Sequence, residues 1–133
     1  MRFADSSFWI GLQVPRDSRH EDASALWRDG PGALITSDLV MGETWTFLRR
    51  RATHADAVGF YDAVGKSDLV TVRHIDEDLA AEAWKWLRRR DERPYSFVDA
   101  TSFALMRRLR LREALAYDGD FASAGFVEVR SAH

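Results

Sequence analysis

The chain has 133 residues, is 46% hydrophobic and 12% aromatic, and carries a formal net charge of -2 with a pI near 6.1. That suffices for one globular domain with a real core, and it leaves no global basic field, so nucleic-acid binding would have to come from local clusters. The absence of cysteine excludes disulfides, thiolate zinc sites and cysteine nucleophiles; no signal-peptide pattern and no apolar run approaching ~18 residues is present, so no membrane span is expected.

Residues 2–5 predict a first strand ending at Asp5. Residues 7–12 predict a short helix broken by Pro15, and 19–27 a second, with Ala23, Leu26 and Trp27 on one side. Gly30-Pro31-Gly32 is a turn. Residues 33–35 read as a short buried strand, after which Ser37 caps a helix to about residue 51. A helix over 54–64 stops at Gly65, and 69–72 is a strand. Asp76 caps a helix ending in Arg88-Arg89-Arg90, and Pro94 separates it from one capped by Ser96. Asp99 stands three residues on, in a capping-box position, and that helix ends near residue 108. Residues 113–117 and 126–129 are the last strands. Short apolar strands alternating with amphipathic helices predict an α/β fold, a parallel sheet covered by helices, in one domain over 1–133. Residues 131–133 are set apart as a tail, disordered or left by cloning.

Four acids sit at apolar edges of this pattern. Asp5 follows Phe3-Ala4, Glu43 lies between Leu39-Val40-Met41 and Thr44-Trp45, Asp99 follows Phe97-Val98, and Asp118 follows Ala116-Tyr117. A carboxylate bordering the core costs several kcal/mol unless it is paired or holds a metal. Asp5 and Asp118 end parallel strands at the edge where ligands bind in open α/β sheets, and Glu43 and Asp99 lie in first turns of helices that begin there. All four can face one crevice. Ser102 shares a helix face with Asp99 and could orient it, and Asp120 adds a fifth oxygen donor. Carboxylates without His or Cys favour Mg²⁺ or Mn²⁺ over zinc. Each acid also has a plainer reading, as a turn residue, an arginine partner or a helix cap, but those readings do not explain why all four map to one edge.

These blocks resemble the PIN domain, specifically the toxin ribonucleases of VapBC toxin–antitoxin pairs. The resemblance rests on Phe3-Ala4-Asp5-Ser6-Ser7, on Thr36-Ser37-Asp38 through Gly42-Glu43-Thr44, on Ser96 through Asp99 to Ser102-Phe103, and on Ala116-Tyr117-Asp118-Gly119-Asp120-Phe121 with Gly125-Phe126. Ser6 stands where members often have threonine and keeps the hydroxyl. The resemblance implies a PIN-like three-layer α/β/α sandwich with a five-stranded parallel sheet of order 3-2-1-4-5. It implies Mg²⁺- or Mn²⁺-dependent endoribonuclease activity on structured RNA, with Asp5, Glu43, Asp99 and Asp118 as metal-binding catalytic residues, a homodimer, and a VapB-type antitoxin whose tail blocks the groove. Such a toxin acts in the cytoplasm of a bacterium or archaeon, or is released. Gly42-Glu43-Thr44-Trp45-Thr46 and residues 118–130 look most like members that cut the sarcin–ricin loop of 23S rRNA, rather than a tRNA anticodon loop.

An acidic site repels phosphate, so positive charge must be supplied. Arg49-Arg50-Arg51, Arg88-Arg89-Arg90 and Arg107-Arg108 with Arg110 and Arg112 are the candidate runs; Arg49, Arg50, Arg107 and Arg108 are expected to contact RNA, against the plainer reading that they stabilise helix C-termini. Trp84 and Trp86 cannot share a helix face, so one of them is expected to be exposed or at an interface. Two other readings compete. Asp118-Gly119-Asp120 resembles the DxD of haloacid-dehalogenase-type Mg²⁺-dependent phosphatases, which place it on their first strand. A PIN-like module that only binds RNA or protein would not need four acids.

Overall fold

The computed structural model describes residues 1–132. In chain order the elements are β1 (Arg2–Ala4), α1 (Ser6–Gln13), α2 (His20–Arg28), β2 (Leu34–Ser37), α3 (Asp38–Arg51) and α4 (His54–Lys66). They continue with β3 (Val70–Arg73), α5 (Glu77–Leu87), α6 (Phe97–Arg108), β4 (Glu113–Leu115), α7 (Asp120–Ser123) and β5 (Val127–Glu128). All strands are parallel, in one sheet of order β3-β2-β1-β4-β5, as the resemblance implied.

The order decides where a site can be. From β1 the chain steps outward through β2 to β3, then crosses back through α5 and α6 to β4 on the other side of β1. Right-handed crossovers place α1–α4 on one face and α5–α7 on the other. The connections leaving β1 and β4 therefore diverge, which opens a crevice at the carboxyl ends of these two strands. Phe3, Ala4, Ala114 and Leu115 are fully buried there. Phe103 of α6 anchors the second face, edge-on to Trp86, Tyr95 and Phe121 and stacked on Phe126; burying such a ring stabilises by about 1.5–3 kcal/mol. Of the two tryptophans that cannot share a helix face, Trp86 packs on this cluster, whereas Trp84 is 59% exposed and stacks on Phe97 at 4.3 Å.

Several boundaries differ from the pattern reading. Asp5 lies just past β1 and is the N-cap of α1, since its side chain bonds forward to Ser7 and cannot also extend the strand. β2 runs on to Ser37, which is both the last strand residue and the cap of α3, because Thr36 and Ser37 pair with Val72 and Arg73. β4 stops at Leu115, and the one-turn α7 was not foreseen; Gly119 at φ +80° makes the turn into it, a conformation that strongly favours glycine. Ser131, assigned to the tail, donates its backbone N–H to Asp22, and His133 lies outside the described residues. Among the described residues no helix is long and apolar enough to cross a membrane.

Candidate active site

Asp5 is the centre of the crevice. Its backbone N–H bonds Leu115 O of β4, and Thr36 of β2 donates its hydroxyl to Ala4 O at 2.8 Å, so β1 is gripped from both neighbours immediately before the acid. One carboxylate oxygen, Oδ2, accepts from Ser7 N–H and Ser7 Oγ at 3.2 and 2.8 Å. The other, Oδ1, is buried with no hydrogen-bond partner among the described residues. Burial pushes the Asp5 carboxyl up to about 7, against the Ser7 hydrogen bonds and with help from Asp99 and Asp118.

Asp99 arrives by a different device. Ser96 and Asp99 form a complete capping box, with Asp99 N–H on Ser96 Oγ at 2.9 Å and Ser96 N–H on Asp99 Oδ2 at 3.2 Å. The cap that starts α6 thus also sets an acid where it feels the charges of Glu43 and Asp120. Burial raises its carboxyl to about 6, opposed by Ser96, with Asp120 and Glu43 pushing the same way. Ser96→Ala is expected to cost about 1 kcal/mol of stability through the lost cap; a urea titration in which the variant unfolds at the wild-type midpoint would count against it.

Glu43 is the sixth residue of α3 and so stands in its second turn rather than its first. Ser6 Oγ donates to Glu43 Oε1 at 2.6 Å, which ties α3 to α1 beside Asp5. Asp118 is exposed at the mouth, and desolvation raises its carboxyl together with Asp120, Glu128 and Glu43, while Arg19 lowers it. Asp120 is half-buried and ion-paired to Arg93 at 2.8 Å. Asp5 thus feels the charges of Asp99 and Asp118, while Asp99 and Asp118 each feel those of Glu43 and Asp120.

Among the described residues no group of three His, Asp or Glu side chains is closed tightly enough to enclose an ion by itself. The donors nevertheless fit a hard dication: all are oxygens, Asp5 Oδ1 is buried and orphaned, and like charges are held together with upward-shifted carboxyls. Mg²⁺ keeps several waters and takes few protein ligands directly, so a loosely closed set suits it.

Some expected residues have other employment. Ser102 Oγ donates to Val98 O at 3.0 Å within α6, and no bond to Asp99 is formed. Arg108 pairs with Asp76 and Glu82, and Arg107 lies over the Trp86 ring. Arg50, by contrast, lines a cleft with Glu43, Phe47, Phe97 and Val98. Four contributors were missed in the sequence: Ser7, Thr36, Arg19 and Arg93. Ser7 was legible as the second residue after a capping Asp; the others are brought in by tertiary contacts alone.

A PIN domain family model matches residues 2–127. The chain is 52% identical over 130 residues to the 23S rRNA-specific endonuclease VapC20 of Mycobacterium tuberculosis, in both strain CDC 1551 and strain H37Rv, covering 98% of each chain. The crystal structure of M. tuberculosis VapC20, a sarcin–ricin loop cleaving toxin, superposes with a TM-score of 0.92 at 51% identity over 98% of this chain and 99% of that one. A toxin–antitoxin complex from Klebsiella pneumoniae shares the fold at a TM-score of 0.70 and 19% identity, over 97% of this chain and all of that one.

Proposed function

We propose, from the premise that this chain belongs to the PIN domain family, that it is a metal-dependent endoribonuclease, the toxin of a type II toxin–antitoxin pair, and that it cuts the sarcin–ricin loop of 23S rRNA. The observation that carries the reading is the crevice between β1 and β4, where the orphaned Asp5 oxygen meets the fields of Asp99 and Asp118. The choice of RNA rests on whole-chain similarity to a relative named for that target. The phosphatase alternative loses its basis, since Asp118-Gly119-Asp120 follows the fourth strand.

Asp5, Glu43, Asp99 and Asp118 would hold Mg²⁺ or Mn²⁺, with Asp120 behind them. When bound, the cation supplies an activated water and neutralises charge developing on the scissile phosphate. The protein's own share is preorganisation. Ser7 fixes the Asp5 rotamer, Ser6 fixes Glu43, and the capping box fixes Asp99. Arg93, through Asp120 and Asp118 O, holds the turn that presents Asp118.

The reading includes an antitoxin and a second copy of this chain. The cleft of Leu39, Phe47, Phe97 and Val98 leading from Glu43 to Arg50 suits an antitoxin segment with apolar side chains. The exposed Trp84–Phe97 stack suits a homodimer contact. The site of action is the cytoplasm, where ribosomes are.

Purified ribosomes and deproteinised 23S rRNA incubated with Mg²⁺ are expected to yield one new pair of ends, mapped by primer extension to the sarcin–ricin loop, and none in EDTA. Folded protein that cuts no RNA with Mg²⁺ or Mn²⁺ overturns the nuclease reading; a single cut elsewhere overturns the substrate only.

A further inference from the structure

We propose that Arg19 is the substrate-phosphate contact of this site, its guanidinium standing over Tyr117 beside Asp118 to receive a phosphate oxygen of the RNA next to the scissile bond. The inference rests on the nuclease reading above and adds the cation that the acidic centre lacks. A cluster of carboxylates repels a polyanion before any metal is shared with it, so a fixed positive group at the rim is needed to seat the backbone.

The other cations beside Asp118 are engaged, and Arg50 lines the adjoining cleft of Glu43, Phe97 and Val98. Arg93 is bound to Asp120 and to Asp118 O. Arg130 is bound to Ala116 O and Glu128. Arg19 forms no ion pair among the described residues, yet it lines the same cleft, of about 400 Å³, as Ser6, Ser7, Glu43, Tyr117 and Asp118. Its field reaches Asp118.

The group is placed by packing rather than by a counter-charge. Gly11 lets the α1 backbone come close, since a Cβ there would stand 3.3 Å from Arg19 Cβ. Arg19 N–H bonds Asp17 Oδ1 at 2.8 Å. The guanidinium carbon is 5.3 Å from the Tyr117 ring centroid. That ring is pinned in turn, its hydroxyl on Asp22 at 2.6 Å and its backbone N–H on Ser7 Oγ at 3.1 Å. Ser7 Oγ also donates to Asp5, so one short strut joins the Arg19 platform to the central acid. A guanidinium held over a ring rather than by a counter-charge keeps its N–H groups available to a phosphate, which it can grip with two parallel bonds.

The test compares Arg19→Gln, Arg19→Lys and Arg28→Gln, the last removing the same charge from the other end of α2. The substrate is a synthetic RNA hairpin of the sarcin–ricin sequence, with kcat and KM measured in Mg²⁺ over a range of KCl. Loss of one charge-assisted contact predicts a fall in kcat/KM of about ten- to a hundredfold for Arg19→Gln. It also predicts a salt slope shallower by about one unit and partial recovery in Arg19→Lys. Mn²⁺ affinity by calorimetry and the melting temperature are expected not to fall in Arg19→Gln, which separates a phosphate contact from a structural role. Arg19→Gln cutting the hairpin like wild type, or Arg28→Gln losing as much, overturns the inference while the nuclease reading stands. A fall in Mn²⁺ affinity matching the fall in rate also overturns it. Wild type that cuts no RNA overturns both.

Discussion

Replacing Asp5 by Asn is expected to abolish RNA cleavage and, in the same protein, to raise the melting temperature of the metal-free form at pH 8. Loss of activity follows if the carboxylate holds the cation: metal ions contribute several kcal/mol of transition-state stabilisation, and at 1.36 kcal/mol per decade the expected drop is on the order of a thousandfold. The stability change has the opposite sign because of where the acid sits. Asp5 is 1% exposed and its carboxyl is raised from 3.8 to about 7. Above pH 7 the folded chain must therefore carry a buried charge that the unfolded chain carries in water, at a cost on the order of 4 kcal/mol. An Asn side chain still offers an oxygen to Ser7 N–H and Ser7 Oγ, so α1 stays capped. Removing a few kcal/mol of strain corresponds to roughly 10 °C in a domain of this size. Calorimetric scans in EDTA at pH 8 check it. A variant that melts below wild type would mean that Asp5 is stabilising as a charge, and cleavage at the wild-type rate would remove it from the chemistry.

Divalent cations and protons are expected to compete for the same crevice, giving a stability that depends on pH in opposite ways with and without metal. Asp5 and Asp99 have folded-state values near 7 and 6, both above the ordinary 3.8. Groups shifted upward stabilise the fold fully below their unfolded value and lose that contribution as pH rises through the folded one. In EDTA the melting temperature is therefore expected to fall between about pH 4 and pH 7 and to level off above. Under pH 4 a second loss begins, because Asp76, held below the usual range by the Leu79 N–H and by Arg108, becomes protonated. Mn²⁺ or Mg²⁺ pairs with the ionised carboxylates and offsets their repulsion, so added metal is expected to raise the melting temperature most at pH 7–8 and little at pH 5. A metal-induced shift that is the same at both pH values, or none at either, would separate the acids from cation binding.

Much of this was legible residue by residue. Ser96 and Asp99 announced a capping box, and the box exists; the same spacing also put an acid at a helix start. Asp5 and Asp118 were readable as strand-end acids, because apolar runs stop where a charge must meet solvent or a ligand. Ser102 illustrates the limit. Its spacing from Asp99 is right for a shared helix face, but the hydroxyl is satisfied by Val98 O one turn back, and no pattern distinguishes the two outcomes. The basic runs are a second limit: composition drew attention to Arg107 and Arg108, whose partners are Trp86, Asp76 and Glu82.

What the sequence determined by itself was local and periodic: the strands and the longer helices, their caps, and the family blocks around Asp5, Glu43, Asp99 and Asp118. What only the tertiary structure decided was how charges are partnered. Arg93 meets Asp120 across 27 positions, Ser6 meets Glu43 across 37, and Tyr117 meets Ser7 across 110. Arg19, a lone arginine outside any run, comes to lie beside Asp118 without an ion pair among the described residues because Gly11 lets its backbone approach and Tyr117 offers a ring. Periodicity reports which face of an element is apolar. Whether a charge is buried, shared or free depends on through-space neighbours, and these are set by the crossover order of the sheet.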